Sequence, residues 1–294
     1  MEDNDRVQTT REYYDSNGAE GFYSTIWGGE DLHIGIYADA NEAIRDASRR
    51  TVATMAGEVP LAPETRVLDV GAGYGGSARF LAREYGCPVT CLNLSSVQNE
   101  RNRRLTAEQN LSDRVSVVEG NFEALPFAPT SFDTVWSQDA ILHSSHRKRV
   151  FAEIARVLSP GGWFVCTDPM QSDTADPALL APVLERLDLE SLASPGFYRE
   201  AGEQANMPME SFTDLSAHLT RHYARVLEEL IAHEPLVRER SGDNYVDRMK
   251  RGLANWVAAG EAGSLVWGIM VFRRVAQAPE GHPQSGLKLL LNTG

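Results

Sequence analysis

Long apolar runs and cysteine are both scarce in this sequence. No stretch of 18 consecutive apolar residues occurs, whereas a membrane-spanning helix needs about 20. The three cysteines, Cys87, Cys91 and Cys166, show no C-x-x-C or Cys/His spacing, so we expect buried reduced thiols and neither a disulfide nor a metal site. The first 20 residues are polar and charged, unlike a targeting leader. We therefore expect a soluble, cytoplasmic protein.

Lysine is nearly absent, and acidic residues outnumber basic ones. Only Lys148, Lys250 and Lys288 are lysines among 28 basic residues, which leaves 25 arginines, and the net charge is −13. Because an acidic surface repels nucleic acid and anionic membranes, we expect neither as a partner; the composition is compatible with a monomer or a homodimer. With 294 residues and 42% hydrophobic content, the chain is long enough for one α/β domain with an elaborated cap.

Strand-like runs alternate with helix-length segments in the first part of the chain. Between the last two runs, Arg147 to Leu158 carries apolar residues at helical spacing and is followed by Pro160-Gly161-Gly162, which predicts a helix packed on a sheet. The alternation predicts an α/β fold with a mostly parallel sheet covered by helices on both faces. The strand-like runs lie at 66–70, 88–92, 115–119, 132–136 and 162–167.

The second part of the chain is mostly helical, at 177–206 and 215–260, with late strands at 208–212 and 264–274. We predict an N-terminal helical cover segment, a core interrupted by a helical lid insertion, and a flexible tail. Their bounds are 1–60 for the cover, 61–214 and 263–275 for the core, 215–262 for the lid and 276–294 for the tail.

A glycine-rich turn follows the first strand. Gly71, Gly73 and Gly76 have G-x-G-x-x-G spacing, which lets the backbone turn tightly and approach a ligand. Asp69 stands two residues before the first glycine, and a carboxylate there suits a cationic or hydroxyl-rich ligand better than a pyrophosphate. This stretch resembles the first motif of class I S-adenosylmethionine-dependent methyltransferases.

The second strand argues against a nicotinamide cofactor. An NAD site uses Asp or Glu at the end of that strand to hold the ribose hydroxyls, but Asn93 occupies the position. Asn93 can still bond a ribose, more weakly than a carboxylate, with Gln98 one turn into the next helix as a second candidate. Ser95 or Ser96 is the expected N-cap of that helix.

Other polar residues lie at the ends of later predicted strands, where ligands bind in open α/β sheets. Asn121 could bond the adenine amino edge while Phe122 stacks on its face; the alternative is a turn asparagine beside a core phenylalanine. Gln138 is a further candidate for the donor site, and Asp139 for the donor or amine site.

Three segments together resemble sarcosine/dimethylglycine N-methyltransferases, which make glycine betaine. They are Gly21 to Tyr37, which includes Trp-Gly-Gly-Glu-Asp-Leu-His, Trp136 to Ser144 and Thr167 to Met170. The likeness runs from about residue 12 to 274. It implies a Rossmann-like class I methyltransferase fold with a seven-stranded sheet, S-adenosylmethionine as cofactor, and an amino-acid amine as the methyl acceptor.

The resemblance also implies roles for individual residues. A protonated dimethylglycine amine must lose its proton before attack, which makes His143 and Asp168 candidate bases; alternatively His143 only anchors its loop. Trp27 and Tyr198 are candidate aromatic faces for the methylated ammonium, unless they fill the core of the cap.

The acceptor carboxylate and the cover segment complete the predicted site. Arg199 is the first candidate for the carboxylate and Arg45 the second, although most arginines lie on the surface. His33 either reaches the acceptor or, as we favour, bonds backbone in its glycine-rich turn. Tyr13 and Tyr14 lie on a predicted N-terminal helix that could fold over the donor.

Two other functions fit part of this sequence. A small-molecule or sugar O-methyltransferase would share the sheet motifs and a histidine after the fourth strand, but its large acceptor predicts an open, apolar cleft. A donor-binding regulatory protein would keep the glycine turn without an acceptor site. The Trp27 to His33 stretch argues against the regulatory protein, since that segment has no evident use without an acceptor to enclose.

Overall fold

A computed structural model describes Phe22, Ile26, Trp27 and residues 29–187 and 189–276. The predicted N-terminal helix with Tyr13 and Tyr14, and all but the first residue of the predicted tail, lie outside these described residues. The described helices are α1 Ile44–Ala56, α2 Gly76–Tyr85, α3 Ser96–Glu108, α4 Arg147–Val157, α5 Pro177–Arg186, α6 Pro195–Gln204, α7 Ser216–Ala232, α8 Glu234–Ser241 and α9 Asp243–Glu261. The described strands are β1 Val67–Val70, β2 Val89–Asn93, β3 Val115–Glu119, β4 Phe132–Gln138, β5 Leu158–Thr167, β6 Met170–Gln171, β7 Met209–Asp214, β8 Leu265–Val266 and β9 Gly268–Arg273.

Seven of the strands form one sheet in the order β3-β2-β1-β4-β5-β9-β7. The first five are mutually parallel, and β9 runs antiparallel to both of its neighbours. This confirms the predicted seven-stranded, mostly parallel sheet. The chain order reverses between β1 and β4, and ligands of such sheets bind at the carboxyl ends of the strands beside that reversal.

Helices cover both faces of the sheet because successive side chains of each strand point to opposite faces, and apolar side chains lie on both. Leu68 and Val70 of β1 pack on one face with Phe151 of α4. Val67 packs on the other face with Leu81 of α2. The sheet is therefore covered on both faces, which leaves the ends of its strands accessible to a ligand.

A third apolar cluster lies beyond the sheet. It joins α5 of the core and the lid helices α7 and α9 to the cover segment, through Val183, Leu219 and Trp256 on one side and Trp27 and Ile34 on the other. Cover and lid therefore share one core, so a change in the lid reaches the segment over the strand ends. Among the described helices, none is both long and apolar enough to cross a membrane.

Two predicted strands differ from the structure by more than a shift of one or two residues at an end. Strand β5 begins at Leu158, directly after α4, because Leu158 already pairs with Phe132 ahead of an irregularity in the register. The predicted strand at 264–274 is two strands: β8 pairs with β6 in a separate two-stranded sheet, whereas β9 joins the main sheet. Side-chain periodicity does not reveal such a change of pairing partner.

Candidate active site

The glycine turn after β1 is shaped by close contacts. Gly71 has a φ of +78°, and a Cβ there would lie 2.4 Å from the Ala140 Cβ. Gly76, the first residue of α2, leaves no room either, because its Cβ would lie 2.1 Å from Asp31 Oδ1. Only glycine therefore lets the turn pass beneath the β4 loop on one side and the cover segment on the other.

A cavity of about 1180 Å³, counted with the open space at its mouth, lies over this turn. Its walls come from the ends of β1, β2, β3 and β4 and from the cover segment. The structure brings nine of the predicted site residues together here: Asp69, Gly71, Gly73, Asn93, Gln98, Asn121, Phe122, Gln138 and His143.

The end of β2 presents a pre-oriented pair of amides. Ser95 is the N-cap of α3, and its side chain accepts a hydrogen bond from the Gln98 backbone N–H at 3.1 Å. The Asn93 side-chain amide donates to Gln98 Oε1 at 3.0 Å. Two neutral polar groups thus face the cavity where a nucleotide site would place a carboxylate.

The end of β3 combines a turn with a cavity wall. Asn121 Oδ1 accepts the Glu123 backbone N–H at 2.9 Å, which is the turn role considered above. Asn121 and Phe122 both also line the cavity. A side-chain amide beside an aromatic ring suits a flat heterocycle.

Gln138 at the end of β4 has a fixed orientation. Its Oε1 accepts hydrogen bonds from Ser77 Oγ at 2.5 Å and from the Trp136 indole N–H at 2.8 Å. Its Nε2 is buried and has no hydrogen-bond partner among the residues that the structure describes. A buried amide donor is costly unless it is satisfied, so this one suits an acceptor oxygen supplied by a ligand.

Apart from two histidines and a tyrosine, the ionisable side chains of the cavity wall are all carboxylates. Burial, opposed by the His33 ring and reinforced by Asp31, raises the pKa of Asp69 to about 7. Burial also raises the pKa of Asp139. Burial alone would raise the pKa of Asp31, but His33, Arg49 and Arg79 together hold it below its ordinary value. The wall therefore suits a cationic ligand.

The cover segment supplies site residues that sequence reasoning missed or placed elsewhere. Asp31 lines the cavity and pairs with Arg49 of α1 at 3.0 Å. The Ile34 backbone N–H donates to Asp139 Oδ2 at 2.7 Å. His33 also lines the cavity; its Nδ1 lies 3.5 Å from the Ile34 carbonyl oxygen, and its Nε2 lies 3.7 Å from Asp31 Oδ1. The sequence shows the acidic pair Glu30 and Asp31 before His33, but no spacing rule predicts which helix supplies the arginine partner of each carboxylate.

Two predicted site residues form a buried pair away from the cavity wall. The Tyr198 hydroxyl donates to Asp168 Oδ2 at 2.5 Å, and both residues are fully buried. The Tyr198 ring centroid lies 5.6 Å from that of Phe151 in the sheet core. Neither residue lines the cavity.

Three more residues that were predicted to bind the methyl acceptor lie outside the cavity wall. Trp27 is buried against His222, with ring centroids 5.2 Å apart. Arg199 is exposed on α6. The Arg45 side chain is 64% exposed and pairs with Asp46. Among the described residues, no group of three His, Cys, Asp or Glu side chains could hold a metal ion.

The fold and this site define a methyltransferase. The family described as a methyltransferase domain matches residues 68–166, which include β2 to β4 and all but one residue each of β1 and β5.

Similarity to whole proteins identifies the family. The chain is 50% identical over 269 residues to a sarcosine/dimethylglycine N-methyltransferase of Aphanothece halophytica, covering 91% of this chain and 97% of that one. It is 52% identical over 264 residues to a glycine/sarcosine/dimethylglycine N-methyltransferase of Actinopolyspora halophila, covering 90% of this chain but only 47% of that longer protein. The chain belongs to the sarcosine/dimethylglycine N-methyltransferase family.

A solved structure agrees with this assignment. A Galdieria sulphuraria protein, assigned as a sarcosine dimethylglycine methyltransferase, superposes with a TM-score of 0.85 at 38% identity, covering 90% of this chain and all of that one. The fold therefore matches over most of the chain.

Proposed function

We propose that this protein is an S-adenosylmethionine-dependent N-methyltransferase that converts sarcosine and dimethylglycine to glycine betaine. One observation carries the proposal: half of the residues are identical to those of a sarcosine/dimethylglycine N-methyltransferase along nearly its whole length. That identity includes far more than the sheet motifs common to methyltransferases. The acidic cavity supports the proposal, because both the donor and the methylated product carry a positive charge.

The cavity residues fit the donor. Bound S-adenosylmethionine supplies a methyl group on a positively charged sulfur. Asp69 provides negative charge, Asn93 and Gln98 suit the ribose hydroxyls, and Asn121 with Phe122 suits the adenine. The unsatisfied Gln138 Nε2 suits a carboxylate oxygen of the donor. These assignments rest on the chemistry of the groups and on their shared cavity.

The remaining requirement is to present a neutral amine to the methyl group and to exclude water. His143 lines the cavity and is our candidate for taking the amine proton at its imidazole nitrogen. The cover segment is held over the cavity by two contacts, that of the Ile34 N–H with Asp139 and that of Glu30 with Arg79. Because transfer is an in-line displacement, no covalent intermediate with the protein is needed.

Product detection by mass spectrometry tests the proposal. The purified protein is mixed with S-adenosylmethionine and, separately, with glycine, sarcosine or dimethylglycine. We expect trimethylglycine from dimethylglycine, and dimethylglycine followed by trimethylglycine from sarcosine. The reaction with glycine determines whether the substrate range of this protein matches that in the name of the Actinopolyspora relative. Intact donor binding without methylation of any of the three would contradict the proposal and favour an O-methyltransferase.

A further inference from the structure

Two histidines of the lid bind the backbone of the cover loop, defined as residues 33–38. The Gly35 backbone N–H donates to His222 Nδ1 at 3.2 Å, and the Tyr37 backbone N–H donates to His218 Nδ1 at 3.1 Å. The histidines are four residues apart in α7, which places them about 6 Å apart along the helix axis. Alternate residues of an extended chain are about 6.5 Å apart. The histidine pair therefore matches two N–H groups on one edge of the loop.

The opposite edge of the cover loop contacts α1 and the loop after β4. The Ile36 backbone N–H donates to the Ala47 carbonyl oxygen of α1 at 3.1 Å. The Ile34 backbone N–H donates to Asp139 Oδ2 at 2.7 Å. Between them, Gly35 lies directly against α1, since a Cβ there would be 2.6 Å from the Ala47 Cβ. The cover loop is therefore confined between α1 and α7, so movement away from the histidines would also move Ile34 relative to Asp139.

Both histidines are hydrogen-bond acceptors at neutral pH. A backbone N–H can only donate, so each Nδ1 lacks a proton and each neutral ring carries its proton on Nε2. Burial lowers the pKa of His222 to about 3 and also lowers the pKa of His218. The Tyr37 hydroxyl lies 3.0 Å from the same His222 Nδ1. The cover loop is therefore held by uncharged acceptors on α7.

Asp139 lies at the end of the cavity that the proposed donor groups leave to the methyl acceptor. The adenine, ribose and charge contacts proposed for the donor follow the ends of β3, β2 and β1, whereas Asp139 follows β4 and lines the cavity. This part of the cavity, beside residues 139–143, is the acceptor end. Asp139 Oδ1 accepts the Trp267 indole N–H at 2.8 Å. Ile34 and Trp267 thus hold one carboxylate oxygen each, and a carboxylate in that place attracts the cationic amine of the acceptor.

We propose that His218 and His222 are positioning residues for the methyl acceptor: by fixing the cover loop, they keep the Ile34 N–H on Asp139 at the acceptor end of the cavity. The inference rests on the proposed function, in which the acceptor amine lies beside His143. Each link from α7 to Asp139 is a hydrogen bond or a peptide bond between described residues. The two histidines do not line the cavity themselves, so they act on the acceptor through the cover loop.

The residues just before the cover loop are held separately, by the core. Glu30 pairs with Arg79 of α2 at 2.7 Å. Asp31 lies against Gly76 in the glycine turn, where a Cβ would be 2.1 Å from Asp31 Oδ1. Neither contact involves α7. Replacement of the lid histidines should therefore weaken acceptor binding and leave donor binding nearly unchanged.

The experiment compares His218→Leu with His218→Asn in the full chain. Asn keeps an acceptor oxygen on Cγ, where histidine has Nδ1, whereas Leu has no acceptor. We expect His218→Leu to raise KM for dimethylglycine by about tenfold and His218→Asn to stay within about threefold of wild type, since small misplacements of a binding group cost tenfold or more. The donor Kd, measured by calorimetric titration, should change less than about twofold in both variants.

Two further variants complete the comparison. His222→Leu should raise KM as His218→Leu does, because it removes the acceptor of the Gly35 N–H. His233→Leu is the matched control, since it removes a histidine that is 51% exposed at the end of α7; it should leave KM unchanged. If His222→Leu does not fold, the two His218 variants still test the proposal.

Two measurements show whether the histidines act through the proposed contacts. Amide hydrogen exchange, resolved by residue, reports the opening of backbone hydrogen bonds. The Ile34 and Tyr37 amides should exchange faster in His218→Leu and at the wild-type rate in His233→Leu. In an Asp139→Asn background, His218→Leu should raise KM much less than in wild type, because residues of one network are not additive.

Each contrary outcome has one meaning. An increase of KM in His218→Asn equal to that in His218→Leu would show that the acceptor nitrogen is not what matters and overturn the inference. A donor Kd that rises as much as KM would also overturn it, as would unchanged KM and unchanged Tyr37 exchange in His218→Leu. A wild-type protein that binds donor but does not methylate dimethylglycine would refute the proposed function, while the exchange rates would still show whether the histidine pair holds the cover loop.

Discussion

The Glu30 carboxylate lies 2.7 Å from the Arg79 guanidinium, whose side chain is only 1% exposed within α2. Glu30 also accepts a hydrogen bond from the Gln109 side chain at 2.6 Å. Arg79 itself donates to the Tyr74 carbonyl oxygen in the glycine turn and to Asn102 of α3. One buried cation therefore joins the cover segment, the glycine turn and the next helix.

Replacing Arg79 by Met should strongly lower both the stability of the protein and its affinity for the donor. Breaking a buried, hydrogen-bonded ion pair typically costs about 3 to 5 kcal/mol, and release of the cover segment should also weaken donor binding. Urea denaturation measures the first effect and calorimetric titration with donor the second. Arg104→Met is the control, because Arg104 pairs with Glu108 at 3.7 Å with both side chains more than half exposed, and such pairs contribute at most about 1 kcal/mol. Equal losses in the two variants would contradict this account.

Gly71→Ala should lose donor binding through a steric clash. Gly161 provides a matched control because its φ is also +78° but nothing lies within 4 Å of its would-be Cβ. Gly161→Ala should cost only the backbone penalty of about 1 to 2 kcal/mol. Gly71→Ala should cost more and raise the donor Kd, as measured by denaturation and titration. Adding Ala140→Gly should recover part of that loss; no recovery would show that the two positions do not clash.

The sequence predicts the sheet and its ligand-binding edge well, because burial on both faces produces apolar runs and strand ends carry polar residues. Residues Asp69, Asn93 and Gln138 thus meet in one cavity as predicted. Periodicity says nothing of contacts between distant segments. The Glu30–Arg79 pair and the Asp168–Tyr198 pair depend on how helices and loops dock, so the sequence showed the residue types but not their partners.

Donor affinity should rise with pH through neutrality. The pKa of Asp69 is about 7 in the unliganded protein, and its ionised form attracts a cationic donor more strongly than its neutral form. The donor Kd should therefore fall by at most about tenfold per pH unit as pH rises toward 7, and it should level off at higher pH. Calorimetric titration from about pH 6 to about pH 8.5 measures this dependence. Asp69→Asn should bind more weakly and with a flatter profile; an unaltered profile would assign the pH dependence to another group.

His222 should make the protein less stable in mild acid. Burial, with His33 and Arg186, lowers its pKa from 6.5 to about 3, and its Nδ1 accepts the Gly35 backbone N–H at 3.2 Å. The unfolded chain gains the proton below pH 6.5 and the folded chain does not. Stability is therefore lost as pH falls from 6.5 toward 3, by up to about 1.4 kcal/mol per pH unit.

Urea denaturation between about pH 5.5 and about pH 8 gives this slope. His222→Asn keeps an acceptor for Gly35 but removes the titrating group. It should therefore be less stable than wild type at the upper pH, because the ring no longer packs on Trp27, yet lose stability less steeply on acidification. His233→Asn removes a histidine that is 51% exposed and controls for composition. If the unfolding free energies of both variants change with pH as steeply as that of wild type, then His222 does not cause the loss of stability in acid. Ionisation of another group must then cause it.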